Sequence, residues 1–201
     1  MPILQVIEYP DPRLKQVSNP VSFADEANLE AVIQDLFDTM YDAPGCVGLA
    51  APQVGILQRI VVIDSSRNPK FESRHGRVVL INPSVERQEG EVIAREGCLS
   101  LPDLTANVKR AQFISVRFQN PEGIEKKIEA SDFEARVILH EMDHLDGILF
   151  LDRVASLKTD VFRRKRYAQN EGKKEGDGAR KPVGEDSLKM QEIESERSSN
   201  R

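Results

Sequence analysis

Two histidines spaced four residues apart constrain this chain more than any other feature of its sequence. His140 and His144, with Glu141 directly after the first, form a His-Glu-x-x-His pattern in a chain that has three histidines. Residues four apart lie on the same face of an α-helix, so both imidazoles can bind one metal ion while Glu141 lies beside it. The pattern therefore predicts a helix that carries a metal site.

The residues on either side of this pattern favour the helix. Ser131 and Glu134 have the spacing of a capping box, and Gly147 can adopt the left-handed conformation that ends a helix. Phe133 and Val137 continue the stripe of the two histidines at helical spacing. We expect this stripe to be buried, so that the histidines face the interior.

A metal site of this kind needs a third protein ligand. One metalloprotease class has a third histidine at the position of Phe150, and another uses a glutamate from a later helix, whereas the acidic residues after Gly147 lie mostly in a low-complexity tail. Cys98 remains, because a thiolate binds zinc or iron well and Gly97 lets the backbone approach the metal. The alternative is that Cys98 is a small buried structural residue.

Length and composition favour one domain and exclude several classes of protein. The chain has 201 residues, a formal net charge of −5 and two cysteines, so neither a nucleic-acid surface nor a disulfide framework is indicated. It has no apolar run long enough to span a membrane and no secretion signal at its start. We expect a cytoplasmic protein with one domain over residues 1–167.

The other elements are a long amphipathic helix and several short strands. Residues 25–42 have apolar side chains at helical spacing, whereas residues 59–64 and 77–82 are short runs rich in valine and isoleucine. Residues 111–118 and 124–129 flank a turn that contains proline and glycine. This pattern predicts a β-hairpin that leads into the metal helix.

The C-terminal region has two parts of different character. Residues 157–167 favour a helix. This helix would carry a basic run over residues 163–166, which is either a solvated helix end or a contact with the ribosome or nucleic acid. Residues 168–201 contain few apolar side chains and cannot bury enough surface to offset the entropy of ordering. We expect this tail to be disordered.

A glycine-rich segment over residues 44–55 has neither helical nor strand periodicity. Glycines in such a segment mark a close approach of another backbone or a positive φ. A phosphate cradle is one alternative, although no lysine followed by serine or threonine completes it. Gln53 is the polar side chain at its centre, and by itself it is more typical of a solvent-facing loop amide than of a functional group.

Three segments, taken together and in order, resemble the peptide deformylase family. They are Cys46-Val47-Gly48-Leu49-Ala50-Ala51-Pro52-Gln53, Glu96-Gly97-Cys98-Leu99-Ser100 and His140-Glu141-Met142-Asp143-His144. The resemblance implies an α+β fold in which small antiparallel β-sheets pack around a central metal-binding helix, with a C-terminal helix and the tail. It also implies a metal-dependent hydrolase that removes the N-formyl group from the initiator formyl-methionine of newly synthesised polypeptides.

The resemblance implies catalytic roles at specific positions. Cys98, His140 and His144 would bind one divalent metal ion, Fe²⁺ natively and Zn²⁺ or Ni²⁺ after purification. Glu141 would act as general base. The side-chain amide of Gln53 and the backbone N–H of Leu99 would stabilise the oxyanion.

The resemblance also implies how the substrate binds. The expected substrate-binding residues are Val47, Gly48, Glu96, Gly97, Phe133 and Val137. The formylated nascent peptide would add as an extended strand along the first four, and its methionine side chain would enter an apolar pocket beside the last two. The ribosome near its exit tunnel is a further expected partner in a bacterial cytoplasm, whereas a membrane and specific nucleic-acid binding are not expected.

Cys46 and Leu139 depart from the family pattern, which usually has glycine and glutamine at these positions. We expect Cys46 to alter how its loop approaches substrate, and Leu139 to remove hydrogen bonding around the ligands rather than the metal itself. Asp143 is expected to be an outer group that faces away from the ligands. The alternatives are a deformylase-like protein with weakened activity, a general metallopeptidase, or a structural metal site closed by Cys46 or His75.

Overall fold

The computed structural model describes residues 3–23, 26–68 and 75–164. These residues contain two α-helices and eight β-strands, joined by loops and short 3₁₀ turns. The helices are α1 (Glu26–Asp42) and α2 (Asp132–Leu145), and neither is long and apolar enough to cross a membrane. The strands are β1 (Gly48–Ala50), β2 (Ile60–Asp64), β3 (Arg77–Glu89), β4 (Val92–Cys98), β5 (Leu101–Arg110), β6 (Phe113–Gln119), β7 (Glu125–Ser131) and β8 (Val161–Arg163). The expected α+β class is confirmed. The tail over residues 168–201 lies outside the described residues.

The strands form two antiparallel sheets. One sheet has the order β1-β2-β3-β6-β7 and the other has the order β4-β5-β8. The predicted hairpin is present as β6 and β7, which pair from Phe113 opposite Ser131 to Gln119 opposite Glu125. Strands β1 and β4 are therefore edge strands, each with one row of backbone groups that its own sheet does not pair.

Helix α2 packs between the two sheets. Ile138 and Met142 belong to the apolar core formed with the five-stranded sheet. On the other side, Arg136 donates hydrogen bonds to the carbonyls of Val92 and Val108, in the three-stranded sheet, at 2.8 and 2.9 Å. Every residue from Glu134 to Leu145 is buried. The predicted buried stripe is present, but the whole helix is buried because it has a sheet on each side.

The beginning of α2 differs from the predicted capping box. Within the described part of the chain, Ser131 makes no side-chain capping bond. Glu134 instead accepts a hydrogen bond from the hydroxyl of Ser65 at 2.8 Å and lies 2.8 Å from Nδ1 of His75. Ser131 is also the last residue of β7, so the sheet sets its backbone. The prediction of a capping box is therefore wrong. Glu134 instead connects the loop after β2 to the helix.

The helix predicted over residues 157–167 also needs correction. Val161–Arg163 form strand β8, which pairs with β5 and places Phe162 opposite Thr105. Val161 packs against the apolar cluster beneath this sheet. The free edge of β5 offers hydrogen-bond partners, and β-branched and aromatic residues suit a strand, so tertiary pairing prevails over local helix propensity. Residues 165–167 lie outside the described residues.

An extended N-terminal segment closes around the end of α2. The N–H of Ser18 donates to the carbonyl of Leu145, the last residue of the helix, at 2.8 Å. Gly147 has a φ of 67°, as predicted for a residue that ends a helix. A Cβ at this position would lie only 2.6 Å from the carbonyl carbon of Lys15. Gly147 therefore allows both the turn and the close approach of the N-terminal segment.

Replacing Gly147 with alanine is expected to lower the free energy of unfolding by about 2–4 kcal/mol, because the positive φ and the forced contact with Lys15 both cost energy. Gly45→Ala is the matched control, since Gly45 has a φ of 73° but a Cβ there would meet nothing within 4 Å. Denaturant unfolding of both variants measures the difference. Equal losses of stability would contradict the close-packing role of Gly147.

Candidate metal centre

Cys98, His140 and His144 come together where the end of β4 meets α2. Their ligand atoms lie within 4.8 Å of one another, and all three residues are buried. The Sγ atom of Cys98 is 3.2 Å from Nε2 of His144. One thiolate and two imidazoles at this spacing fit a zinc or ferrous iron site that keeps a position open for water or substrate. The structure thus brings together the three residues that the sequence analysis selected as ligands.

Glu96 fixes the orientation of His140. Its Oε2 lies 2.8 Å from Nδ1 of His140, which leaves Nε2 as the ring nitrogen for a metal. The same carboxylate accepts hydrogen bonds from Arg110 at 2.7 and 2.9 Å and from Arg136 at 2.7 Å. Burial raises the pKa of Glu96, but the hydrogen bonds from His140 and Arg110 have the larger, opposite effect, so the pKa lies well below its usual range. The group therefore stays ionised behind the ligand.

Asp143, three residues after His140 on α2, extends this network. It accepts a hydrogen bond from Arg110 at 2.7 Å and two from Arg153 at 2.6 and 3.1 Å. Arg110 consequently bridges the carboxylates of Glu96 and Asp143 across the contact between β5 and the helix. Asp143 is thus an outer group, as expected.

The buried ligands favour a thiolate. Burial raises the pKa of Cys98, but the neighbouring His144 and His140 lower it more, so that it lies well below its ordinary value. Burial lowers the pKa of His140, whereas hydrogen bonds and charge at Cys98 and Glu96 raise it well above its ordinary value. The environment therefore stabilises the deprotonated sulfur that a metal ligand requires.

A buried, unpaired carboxylate oxygen beside the ligands supports a functional pocket. Oε2 of Glu141 and Nδ1 of His144 are buried and have no hydrogen-bond partner among the described residues. Buried polar atoms are normally paired, because leaving one unpaired costs free energy. Burial also raises the pKa of Glu141, although both histidines lower it. The unpaired oxygen of Glu141 fits a pocket that receives water or a polar substrate group beside a metal ion, whereas Nδ1 of His144 is the ring nitrogen that does not face Cys98.

Gln53 points into this cluster and not into solvent. Its Oε1 accepts a hydrogen bond from the N–H of Ala50 at 2.9 Å, and its Nε2 donates to Sγ of Cys98 at 3.4 Å and to the hydroxyl of Ser100 at 3.3 Å. The residue lies in a short 3₁₀ turn, Ala51–Val54, directly after β1. The glycine-rich segment therefore forms an edge strand and a turn that aims an amide at the metal site, which disfavours the phosphate cradle.

A cavity of about 240 Å³ opens beside the ligands. All six predicted substrate-binding residues line it, together with Gln53, Leu99 and Glu141. Residues of the edge strands β1 and β4 line it, and Phe133 and Val137 contribute apolar surface from α2. A Cβ on Gly48 would lie 2.8 Å from Oε1 of Glu141, so any other residue there would displace the Glu141 side chain. Glu96 lines the cavity too, but its carboxylate is directed to His140.

The two residues that depart from the family pattern, Cys46 and Leu139, and the remaining histidine, His75, lie outside the ligand cluster. The thiol of Cys46 donates to the carbonyl of Gly48 at 3.0 Å, and burial raises the pKa of Cys46 to about 12, so it remains protonated. Leu139 packs in the apolar core. His75 contacts Glu134 at the beginning of α2, and neither His75 nor Cys46 belongs to the ligand cluster found among the described residues. A structural site closed by either residue is therefore not supported.

Sequence reasoning missed the arginines that support the ligands. Arg110 and Arg136 are buried residues that pair with Glu96. One signal was available, because Arg136 lies four residues before His140 on the helix and an arginine on a buried face needs a buried partner. The identity of that partner depends on how β4 and β5 pack on the helix.

The Glu96→Gln variant is expected to bind its metal about 10–100-fold more weakly, because an amide holds the tautomer and orientation of His140 less firmly. Glu91→Gln is the control, since Glu91 is an exposed carboxylate before β4 that pairs with Lys109. Metal content after dialysis against increasing chelator measures the affinity, and circular dichroism checks the fold. A folded Glu96→Gln variant that retains metal as well as the wild type would contradict this role.

Comparison with known proteins agrees with the architecture and the site. The family model described as polypeptide deformylase matches residues 3–160. Peptide deformylase of Thermodesulfovibrio yellowstonii is 44% identical over 165 residues, which cover 82% of this chain and 97% of the relative. The enzyme of that name from Acidobacterium capsulatum is 44% identical over 173 residues, which cover 86% and 99%.

Solved structures give the same result. A peptide deformylase from Legionella pneumophila has a TM-score of 0.70 and 37% identity, with 78% of this chain and 89% of that chain covered. The peptide deformylase from Thermotoga maritima also has a TM-score of 0.70 and 37% identity, with 78% and 100% covered. The match extends over most of the chain and includes the elements that carry the metal cluster. The chain belongs to the peptide deformylase family.

Proposed function

We propose that this protein removes the N-formyl group from the initiator formyl-methionine of newly synthesised polypeptides, as a metal-dependent hydrolase. The observation that carries the proposal is the convergence of Cys98, His140 and His144 with Glu141 and Gln53 in one cleft. Membership of the peptide deformylase family supports this reaction. A catalytic domain over residues 1–167 would contain every group that the reaction needs.

The proposed metal ligands are Cys98, His140 and His144. A divalent ion bound there would supply a Lewis acid and lower the pKa of a water ligand toward neutrality. We propose Fe²⁺ as the native ion, with Zn²⁺ or Ni²⁺ able to replace it, because one thiolate and two imidazoles suit all three. Glu96 would keep His140 in the tautomer that binds metal through Nε2.

Glu141 is the proposed general base. It follows a ligand directly in α2, and one of its carboxylate oxygens is buried without a partner among the described residues. Burial raises its pKa, which brings a carboxyl group closer to the range useful for proton transfer near neutral pH. Glu141 would take a proton from the attacking water and return it to the amine that leaves.

Gln53 and Leu99 are the proposed donors to the oxyanion that forms on the formyl group. The N–H of Ala50 holds the Gln53 side chain by its oxygen, so its NH₂ group is oriented before substrate arrives. Leu99 follows Cys98 in the turn between β4 and β5 and lines the same cleft. Donors fixed in advance stabilise developing charge without the cost of reorganisation.

The edge strands β1 and β4 are the proposed binding surface for the peptide backbone. The carbonyl of Val47 accepts from the N–H of Asp64 at 2.9 Å. Backbone groups alternate in direction along a strand, so the N–H and C=O of Gly48 point away from β2, where the carbonyl also accepts from the Cys46 thiol. An extended peptide beside Gly48 and Gly97 would form backbone hydrogen bonds that depend little on its sequence. Phe133 and Val137 would receive the methionine side chain.

The proposed substrate sets the proposed location. Formylated chains emerge from bacterial ribosomes, so we place this protein in the bacterial cytoplasm with the ribosome near its exit tunnel as a partner. The bacterial origin of the relatives supports this setting. Binding to the ribosome is testable by co-sedimentation of purified protein with ribosomes that carry nascent chains.

The Glu141→Gln variant is expected to lose at least about 10²-fold in formate release from formyl-Met-Ala-Ser and to keep its metal, because only the proton acceptor changes. Protein purified without oxygen is compared with the wild type, with metal content determined on both. Full activity in a variant with full metal would overturn the role of Glu141. Wild-type protein with full metal that releases no formate would overturn the proposed function.

The same assay separates the alternative functions. A general metallopeptidase would hydrolyse internal bonds of an unformylated peptide, whereas we expect no such product. A deformylase-like binding protein would bind the formylated peptide without releasing formate.

The Gln53→Ala variant is expected to lower kcat about 10²–10³-fold with a small change in KM, because one oxyanion donor is lost. Ser100→Ala is the matched control, since it removes a hydrogen-bond partner of Gln53 Nε2 but no proposed donor. We expect less than a tenfold loss for this control. Steady-state kinetics of both variants measure the difference, and equal losses would contradict the proposed role of Gln53.

A further inference from the structure

Two arginines at the mouth of the cleft have no carboxylate partner within the part of the chain that the structure describes. Arg95 is exposed on β4, where its guanidinium stacks on the Phe162 ring at 3.5 Å and donates to the hydroxyl of Thr105 at 3.3 Å. Arg164 directly follows β8, and its backbone N–H donates to the carbonyl of Asp103 at 2.7 Å. Both line the cleft. Among the described residues, the ion pairs of the buried network and of the surface include neither arginine.

The carboxylates inside the cleft do not neutralise these arginines. Glu96 is engaged by Arg110 and Arg136, and Glu141 lies at the buried end beside the ligands. Among residues 3–23, 26–68 and 75–164, no carboxylate pairs with these two positive charges, on a chain whose formal net charge is −5. A local charge of opposite sign to the whole molecule attracts anionic groups specifically to that place.

The two guanidinium groups lie on one face of β4. Arg95 and Gly97 are two residues apart and so point to the same face. A Cβ on Gly97 would collide with the guanidinium of Arg164, so that group lies over Gly97. This placement also accounts for part of the basic run over residues 163–166, because β8 brings Arg164 to the cleft instead of leaving it on a solvated helix.

The spacing along β4 indicates which part of a substrate these groups would meet. Cys98 marks the position of the formyl group, and Arg95 is three residues away, about 10 Å along a strand that rises about 3.3 Å per residue. A peptide that runs outward from Cys98 along the edge of β4 would reach Arg95 with its second or third residue.

We propose that Arg95 and Arg164 select nascent chains that have an acidic side chain at the second or third residue. The inference rests on the proposed function and adds a substrate class to it. Guanidinium groups bind carboxylates through paired, charge-assisted hydrogen bonds. Because both arginines are exposed, the expected gain is modest, about 5–10-fold in kcat/KM for the two together.

The test compares formylated peptides that differ in one side chain. Formyl-Met-Asp-Ala-Ala and formyl-Met-Ala-Asp-Ala, both amidated at the C-terminus, are compared with the same peptides in which asparagine replaces aspartate. We expect the wild type to prefer at least one aspartate peptide about 5–10-fold, through a lower KM, and the preference to decline as salt is added. The same peptides with a free C-terminal carboxylate form a second set. A preference for aspartate seen only in this second set would overturn the proposal.

Variants assign the preference to the arginines. In Arg95→Gln/Arg164→Gln the ratio of aspartate to asparagine peptides is expected to fall to near one, whereas Arg95→Lys keeps the charge and should retain part of it. Arg163→Gln is the matched control for each single substitution, because it removes one positive charge as well. Arg163 lies on the opposite face of β8 from Phe162 and Arg164. Loss of the preference in this control would overturn the proposal in favour of general charge attraction.

The remaining outcomes separate this inference from the proposed function. Formate released equally from aspartate and asparagine peptides overturns the inference alone. No formate from any peptide overturns the proposed function, and the inference with it. Unchanged peptide selectivity in the double variant, together with weaker co-sedimentation with ribosomes, overturns the inference in favour of a contact with RNA phosphates. Thermal unfolding of each variant verifies that the Arg95–Phe162 stacking is not needed for the fold.

Discussion

The buried carboxylate of Glu96 is the interaction on which the site depends. It joins β4 to α2 through His140 and Arg136, and to β5 through Arg110. Buried charges are costly to remove from water, so such a cluster is favourable only when every member is paired in good geometry. Cys98 lies two residues further along the same face of β4. The group that orients one ligand therefore also sets the strand that delivers another.

The cleft uses two sheet edges that a protein would otherwise have to protect. Open edges invite pairing with other chains, and proteins usually cover or interrupt them. Here residues of both β1 and β4 line the cleft beside the candidate metal ligands, and Gln53, which follows β1, contacts Cys98 at the end of β4. At Gly48 a side chain would displace Glu141, so the same residue keeps the edge open and leaves room for the proposed base.

The parts of this structure that sequence could predict are those decided by neighbours in the chain. The spacing of His140 and His144 specifies one helical face, and the turn between β6 and β7 follows from its proline and glycine. The capping of α2 and the state of residues 161–163 were mispredicted, because distant partners decide them: Ser65 and His75 in one case, the free edge of β5 in the other. The orienting contact of Glu96 likewise depends on packing between a strand and a helix.

The closure of the N-terminal segment has a consequence for the order in which the protein matures. Ile7 donates to the carbonyl of Gln53, Tyr9 to that of Ser100 and Ser18 to that of Leu145. This segment is thus held partly by residues that are synthesised much later, and Leu145 follows Ser18 by 127 positions. Such contacts slow folding, since distant segments must lose the entropy of loop closure before their contacts stabilise the chain. The candidate metal site includes His144, so it can assemble only after α2 has been synthesised, however early Cys98 is in place.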